Sequence, residues 1–500
     1  MKKSFYITTP IYYPSAKPHM GHAYSSISAD VIARYKRLEG YDVKFLTGTD
    51  EHGQKIQKSA IKENLSPIDF CNKISKVFLD LTKQLNLSNT DFIRTTETRH
   101  VETVQKLWKT LEKNNKIYLS KYSGWYSVSD EAFYSDSEII EDNGKKVSLS
   151  SGSKVEWVEE ESFFFKLSEY QDILLKHYEK NPNFIAPMSR KNEVISFVKS
   201  GLKDLSISRT SFNWGIRVPD NDRHIMYVWL DALTNYLTAS NYFSEKCFWP
   251  ADVHIIGKDI LRFHAVYWPA FLIAANIPLP KKVFGHGWIL SGDEKMSKSK
   301  GNILDPLEII NDYGLDEVRY YLMKEVIYGL DGKINIDNLK NCITSDLANN
   351  IGNLSQRIFT LIDKYFNNIV PKTDNCTKFE NELLLPSLDI FKKTMDNFEI
   401  HTYTREIISY SSKINKYVND EEPWAKIKQL DNRVATVLNT SLNCLKNIFI
   451  LLHPIMPSKC ENFLNCIGIP KEEINLELIT KKIKIGTKLT MPGLLFKKYI

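Results

Sequence analysis

The first fifty residues constrain the fold most. Phe5 and Ile7 alternate with their neighbours as strand residues do, and from Ala23 the apolar positions Ile27, Val31, Tyr35 and Leu38 return every three or four residues until Gly40. That spacing predicts an amphipathic helix stopped by a glycine C-cap. Val43, Phe45 and Leu46 follow within YDVKFLTGTDEHG, bounded by Gly48 and Gly53, and read as a second strand. Strand, loop, helix, strand is the unit that builds a parallel sheet, because parallel neighbours need a crossover between them. The expected fold is α/β, with a doubly wound parallel sheet.

The character changes at about Tyr118. From there to Met226, YSGWYSVSDEAFYSDSEII and KVEWVEEESFFFKL alternate aromatic and polar residues like antiparallel strands, with a turn at Asn143-Gly144. This reads as an inserted domain over residues 118–226. The α/β pattern then resumes: Val253 to Ile256 form a short apolar strand, Gly257 turns the chain, and a helix follows from about Ile260. Beyond Asn341 helical periodicity dominates, most clearly over His401 to Val418 and Asp431 to Leu452, so the last third is expected to be a helix bundle. The resulting boundaries are 1–117 and 227–285 for the halves of the sheet domain, 286–345 for a connecting region and 346–500 for the bundle.

Composition excludes several classes. The seven cysteines stand singly, with no C-x-x-C pair, which fits a reducing cytoplasmic setting and opposes a disulfide framework. Lys2 and Lys3 are followed by Thr8, Thr9 and Pro10 before any long apolar run, a poor signal peptide. The richest apolar stretch, Val266 to Pro280, is broken by Pro269, Asn276 and Pro278, and no membrane span is expected. A net charge of +6, from 66 basic and 60 acidic residues, permits a polyanionic partner without requiring one.

Neither G-x-x-x-x-G-K-[ST] nor G-x-G-x-x-G occurs, so a nucleotide bound here needs another phosphate site. Two stretches offer one. In PSAKPHMGHA, His19 and His22 lie three apart at a helix start, on one face, beside the free N–H groups and the positive end of the helix dipole. Gly21 between them lets a flat ring such as adenine approach the backbone. In SGDEKMSKSKG, Lys295, Lys298 and Lys300 sit in a loop between Gly292 and Gly301 that can swing cations onto phosphates.

His19-Met20-Gly21-His22 and Lys295-Met296-Ser297-Lys298-Ser299, in that order, resemble the two signatures of the class I aminoacyl-tRNA synthetases. ITTPIYYPSAKPHMGHA, FLTGTDEHG, YVWLDAL, IIGKDILRFHAVYWPAFL and DLANNIGNLSQR are similar to the methionyl branch of that family, over essentially the whole chain. The resemblance implies a Rossmann-like catalytic domain with an inserted connective domain, a lysine loop and stem-contact region over 286–345, and an anticodon-binding bundle. It also implies ATP- and Mg²⁺-dependent activation of L-methionine to the adenylate, then transfer to the 3′ terminal adenosine of tRNA(Met). His19, His22, Lys295 and Lys298 would be catalytic, with Gly21, Gly257 and Asp259 also meeting ATP. The methionine pocket would comprise Ile11, Tyr13, Asp50, Trp229, Ala232, Leu233, Tyr236, Ile260 and His264. Asp50 would take the ammonium and the aromatic residues the thioether, a polarisable group that packs well on ring edges.

The chain departs from the family in two places. Many members hold zinc in the insert with C-x-x-C pairs, but here Ser127 and Asp130 stand at that spacing and no cysteine lies between Cys71 and Cys247. An insert without structural zinc, held by its aromatic residues, is expected. At the anticodon end, Trp424 follows Pro423 at a helix entrance, where a family tryptophan stacks on a base. Asp346 and Asn350 stand where some members have asparagine and arginine; Asn350 can still pair with a base edge, and Asp346 is expected to orient a neighbour. The chain ends at MPGLLFKKYI, without the extra C-terminal dimerising domain of some relatives, so a monomer is expected.

The competing readings separate on specific features. Leucyl, isoleucyl and valyl enzymes carry an editing domain that an insert of about a hundred residues cannot house. Two alternatives stay open: another class I synthetase without editing, or a catalytically silent tRNA-binding relative.

Overall fold

The computed structural model describes all residues except 1, 15–16, 131, 143, 245–246, 292–293, 296–304, 374–375, 428–432 and 500. β1 (Ser4–Thr8), α1 (Met20–Leu38) and β2 (Asp42–Thr49) follow one another as the opening pattern predicts. The helix begins at Met20, ahead of the first periodic residue, and ends before Gly40, whose φ of +85° is the left-handed turn a glycine C-cap supplies. The chain packs into two compact units, Met1–Lys3 with His19–Val43 and Gly287–Ile500 in one, Ser4–Pro18 with Lys44–His286 in the other.

The second unit is built on a six-stranded sheet. β3 (Asp91–Arg94), β6 (Ile185–Ala186), β7 (Val253–Gly257) and β8 (Val283–His286) join the first two strands in the order β3-β2-β1-β7-β8-β6. β2–β3, β1–β7, β7–β8 and β8–β6 all pair in parallel, with Ile7 opposite Val253 and Thr8 opposite His254. The central strands are buried on both faces, which is why Val253, Ile255 and Ile256 read as an apolar strand even with a buried His254 among them. α2 (Thr98–Lys113) and α3 (Val228–Ala239) belong to this unit. The helix expected from Ile260 starts as a 3₁₀ turn, Lys258–Ile260, widens to a π-helical turn over Phe263–Tyr267 and becomes α-helical at Trp268–Ala274.

The insert contains the expected antiparallel strands, β4 (Ile117–Ser127) and β5 (Glu156–Phe165), paired from Ile117–Phe165 to Tyr126–Glu156. Gly144, at φ +72°, turns between strands Ile139–Asp142 and Lys145–Ser148; Asn143 lies outside the described residues. The span 118–226 is not uniform, however. Ile185–Ala186 pairs in parallel with β8 at the edge of the main sheet. Two residues between Pro182 and Pro187 carry no readable periodicity.

Aromatic contacts do hold the insert: Trp125 meets Trp157 edge-on at 5.1 Å, and the Arg209 guanidinium lies 4.0 Å from the Phe133 ring centre. A second device was not anticipated. Asp130 accepts from Tyr134 Oη at 2.7 Å, Ser151 Oγ at 2.5 Å and Ser153 Oγ at 2.7 Å, while Ser127 and Ser148 cap the local backbone at Asp130 and Ser151. One carboxylate thus ties the stretches around residues 130 and 151 together through neutral hydroxyls.

In the first unit, α1 is fixed by a fully buried ion pair, Arg319 to Asp30 at 2.7 Å, and by Lys36, which meets Glu39 and Asp396 at 2.6 Å each. The C-terminal part is helical. A continuous element runs α-helical over Ile336–Cys342, π-helical over Ile343–Gly352 and α-helical over Asn353–Phe366. α4 (Ile400–Glu421) and α5 (Arg433–Leu452) match the two predicted helices, although Asp431 lies outside the described residues. Tyr403 Oη donates to the Leu451 carbonyl at 2.6 Å between them. Among the described residues α5 is the one helix long and apolar enough to cross a bilayer, and it is almost wholly buried as the core of the bundle.

Candidate functional site

His19 is the N-cap of α1. Its Nδ1 accepts the Gly21 N–H at 3.1 Å, and His22 Nδ1 accepts the His19 N–H at 3.2 Å, a reciprocal capping box made of two imidazoles. The rings lie 3.9 Å apart, tilted by 34°. This corrects one expectation: the rings themselves take two of the helix-start N–H groups rather than leaving them for an anion. With Nδ1 of each ring used as an acceptor, each neutral ring carries its proton on Nε2 and presents that atom as a donor. Burial, then the neighbouring His19, hold the His22 pKa well below the usual imidazole range. Gly21 is required by the cap, since a Cβ there would stand 2.9 Å from His19 Cε1.

The lysine-rich stretch belongs to the same compact unit. Glu294–Lys295 pairs antiparallel with Ile289–Ser291, which pairs in parallel with Gly332–Ile334. The Lys295 side chain, Lys298 and Lys300 lie outside the described residues, and so does the expected clamp.

In the second unit, Asp50 follows β2 at the carboxyl end of the sheet, the edge where open α/β sheets bind ligands. It is buried, and its N–H donates to the Tyr12 carbonyl at 2.8 Å. Trp229, Ala232, Leu233 and Tyr236 fall at positions i, i+3, i+4 and i+7 of α3 and share one face. The Trp229 indole stacks on Phe263 at 3.9 Å and meets His264 edge-on at 6.2 Å. Its Nε1 is buried without a hydrogen-bond partner among the described residues.

His264 sits in the π-helical turn and donates Nδ1–H to the Ile260 carbonyl at 3.0 Å, so its Nε2 accepts from Tyr236 Oη at 2.8 Å. Burial pushes its pKa down to about 4, so the ring is neutral at pH 7. Ile11 and Ile260 pack half-buried against the same core, whereas Tyr13 packs on a smaller cluster and bonds the His52 carbonyl at 3.3 Å. Gly257 ends β7; a Cβ on it would lie 2.7 Å from Asp259 Oδ1, so the glycine lets that carboxylate fold over the strand end.

Residues 5–359 match the family "tRNA synthetases class I (M)", and residues 370–500 match "Anticodon binding domain of methionyl tRNA ligase". The chain belongs to the class I methionyl-tRNA synthetases. It is 47% identical to the methionine–tRNA ligase of Rickettsia felis, over 100% of this chain and 99% of that one. To the methionine–tRNA ligase of Rhizobium meliloti it is 47% identical, over 99% and 98%. The solved Mycobacterium tuberculosis methionyl-tRNA synthetase in complex with methionyl-adenylate superposes with a TM-score of 0.96 at 42% identity, covering 99% of this chain and 100% of that one. The apo form of the M. tuberculosis synthetase gives 0.89 at 39%, covering 100% and 99%.

In this methionyl-tRNA synthetase the anticodon-binding region lies in the first unit. Trp424 is exposed, and the Arg357 guanidinium lies over its ring at 4.7 Å while donating to Asn419 Oδ1 at 2.9 Å. Asn350 is more committed than its sequence context suggested. Its Oδ1 accepts from Ser411 Oγ at 2.8 Å and Asn415 Nδ2 at 2.6 Å, and its Nδ2 donates to Ser412 Oγ at 3.2 Å. Asp346 does orient neighbours, accepting from Tyr320 Oη at 2.9 Å and pairing with Lys324 at 2.5 Å.

Sequence reasoning missed a buried network around Asp50. Glu51 is held bidentately by Arg94 at 2.7 and 2.9 Å, and Asp231 is held by His52 and His100. His52 and Asp231 are 179 positions apart, and no local signal links them.

Proposed function

We propose that this synthetase joins L-methionine to ATP, giving methionyl adenylate and pyrophosphate, and then passes the methionyl group to the 3′ terminal adenosine of tRNA(Met). The observation that carries the reading is the whole-chain likeness to a solved synthetase holding methionyl-adenylate. The methionine carboxylate attacks the α-phosphate in line, and the departing pyrophosphate gathers negative charge. Little proton transfer is needed, so positioning and electrostatic stabilisation carry the rate. His19 and His22 offer Nε2–H donors to phosphate oxygens as that charge develops. Lys295 and Lys298 neutralise the pyrophosphate, and Gly257 and Asp259 meet the ribose.

Asp50 takes the methionine ammonium. Trp229, Tyr236 and Tyr13 line the thioether with Ile11, Ala232, Leu233, Ile260 and His264, whose neutral ring and satisfied polar atoms suit an uncharged side chain. ATP enters as its Mg²⁺ complex, since Mg²⁺ commonly binds through substrate phosphates. Trp424 stacks on an anticodon base, with the second Nδ2 hydrogen of Asn350 turned to a base edge. The catalytic body comprises 1–117 and 227–285, the insert 118–226 works without zinc, 286–345 holds the lysine loop and the stem-contact region, and 346–500 reads the anticodon. The enzyme acts as a cytoplasmic monomer.

Pyrophosphate exchange measured with each of the twenty amino acids tests the reading. Methionine alone should respond strongly, and Lys298→Ala should slow that exchange by about a hundredfold or more. Exchange by the variant at the wild-type rate would remove the clamp role, and a strong response to another amino acid would remove the methionine pocket.

A further inference from the structure

Asp231 lies on α3 but off the Trp229–Tyr236 face, and it is 1% exposed. Each of its oxygens takes one histidine, Oδ2 from His52 Nδ1 at 2.6 Å and Oδ1 from His100 Nε2 at 2.7 Å. Burial pushes its carboxyl pKa up, but His52 and His100 together bring it down to about 2. An ionised carboxylate only accepts, so both ring nitrogens donate. His100 projects from α2, and its Nδ1 reaches back to Thr238 Oγ1 on α3 at 3.1 Å.

His52 stands two residues after Asp50, and the turn between them is anchored on every side. The Asp50 N–H goes to Tyr12, the Glu51 carboxylate to Arg94 and Thr96, the Glu51 carbonyl to Trp214 Nε1 at 2.6 Å, and the His52 carbonyl to Tyr13. The His52 ring ties this turn to the helix that carries Trp229 and Tyr236, and it does so through Asp231. That bond therefore couples the turn that carries Asp50 to the helix that carries the Trp229–Tyr236 face.

We propose that Asp231 is a positioning residue that, through His52, sets the spacing between the Asp50 carboxylate and the Trp229–Tyr236 face, and thereby the side-chain length the pocket takes. The proposal rests on the methionine-pocket reading above. One methylene in an apolar pocket is worth about tenfold to two-hundredfold in discrimination, and only while the two ends of the pocket hold their distance.

Asp231→Asn keeps the shape and one acceptor but puts an amide N–H₂ against a ring N–H. In pyrophosphate exchange we expect the KM for methionine to rise about tenfold to a hundredfold, with kcat falling less than about threefold and the KM for ATP unmoved. The kcat/KM of ethionine, one methylene longer, should gain about tenfold relative to methionine. A merely structural role lowers active enzyme, and with it kcat, while leaving the KM and the ethionine ratio in place; that result overturns the proposal.

If Asp231→Asn does not fold, a histidine pair decides. His52→Ala should raise the methionine KM and His52→Asn, which keeps a donor at the Nδ1 position, should restore it; equal effects of the two overturn the proposal. A wild type that ignores methionine removes the pocket reading and the proposal with it. A wild type that responds to methionine beside an unchanged Asp231→Asn removes the proposal alone.

Discussion

The start of α1 and the π-helical turn at Phe263–Tyr267 use the same side chain to opposite ends. At α1 the backbone offers N–H groups, so His19 and His22 accept through Nδ1 and keep the proton at Nε2. At the π turn the backbone offers the Ile260 carbonyl, so His264 donates through Nδ1 and accepts at Nε2 from Tyr236. A histidine's role is thus chosen by the backbone group nearest its Nδ1. One arrangement keeps a proton on each Nε2, the donor proposed above for the phosphates. The other closes polar atoms on each other and leaves an apolar wall.

The sharpest break between the two sites is His19→Asn. Asparagine is among the best N-caps, and its short carbonyl can accept the Gly21 N–H as Nδ1 does. It cannot place a donor where Nε2 stands. The helix should hold, with stability within about 1 kcal/mol of wild type, while kcat for methionine-dependent exchange falls by about a hundredfold to a thousandfold. Thermal unfolding and steady-state kinetics on the same protein separate cap from chemistry. A variant equally impaired in both would mean that the ring serves the helix and not the phosphates.

Acid should expose the buried site next. The His264 pKa is about 4 when folded and 6.5 for the free group. A depressed histidine pKa means the unfolded chain binds the proton more readily, so its contribution is complete above pH 6.5 and is lost as pH falls from 6.5 towards 4. The loss from this ring approaches about 3 kcal/mol at the lower limit. His22 and His254 are shifted in the same direction, each chiefly by burial, and add to the trend. Urea midpoints between pH 7.5 and 4.5 should fall in the wild type and fall less steeply in His264→Gln. Equal slopes would contradict a buried neutral ring.

What was legible in the sequence was local. Gly40 and the periodicity before it located α1, the run Val253 to Ile256 located β7, and His401 to Val418 located α4, because each is written in neighbouring residues. Ile185–Ala186 was not legible, being a strand of two residues. The π turn that points His264 at Tyr236 was invisible, since it differs from an α turn by one residue and leaves composition unchanged. The histidines three apart announced a helix start, but that their rings would consume the N–H groups depends on side-chain torsions. Asp130 with Ser151 and Ser153, and Asp231 with His52 and His100, join residues brought together only by the fold.

The finest test changes one oxygen atom. Tyr236→Phe removes the donor to His264 Nε2 and leaves a buried nitrogen unsatisfied, a cost of about 1–3 kcal/mol. Because the aromatic wall survives, the KM for methionine should rise only about tenfold, with kcat within about twofold. The O–H donated to Nε2 favours the neutral ring, so without it the ring takes a proton more readily. The acid-induced loss of stability should then be smaller and level off at a higher pH than in the wild type, while Tyr236→Phe leaves the His19 capping box untouched. An unchanged pH profile together with an unchanged KM would show that the hydroxyl orients nothing, and the contrast between a backbone-set donor and a backbone-set acceptor would lose its second half.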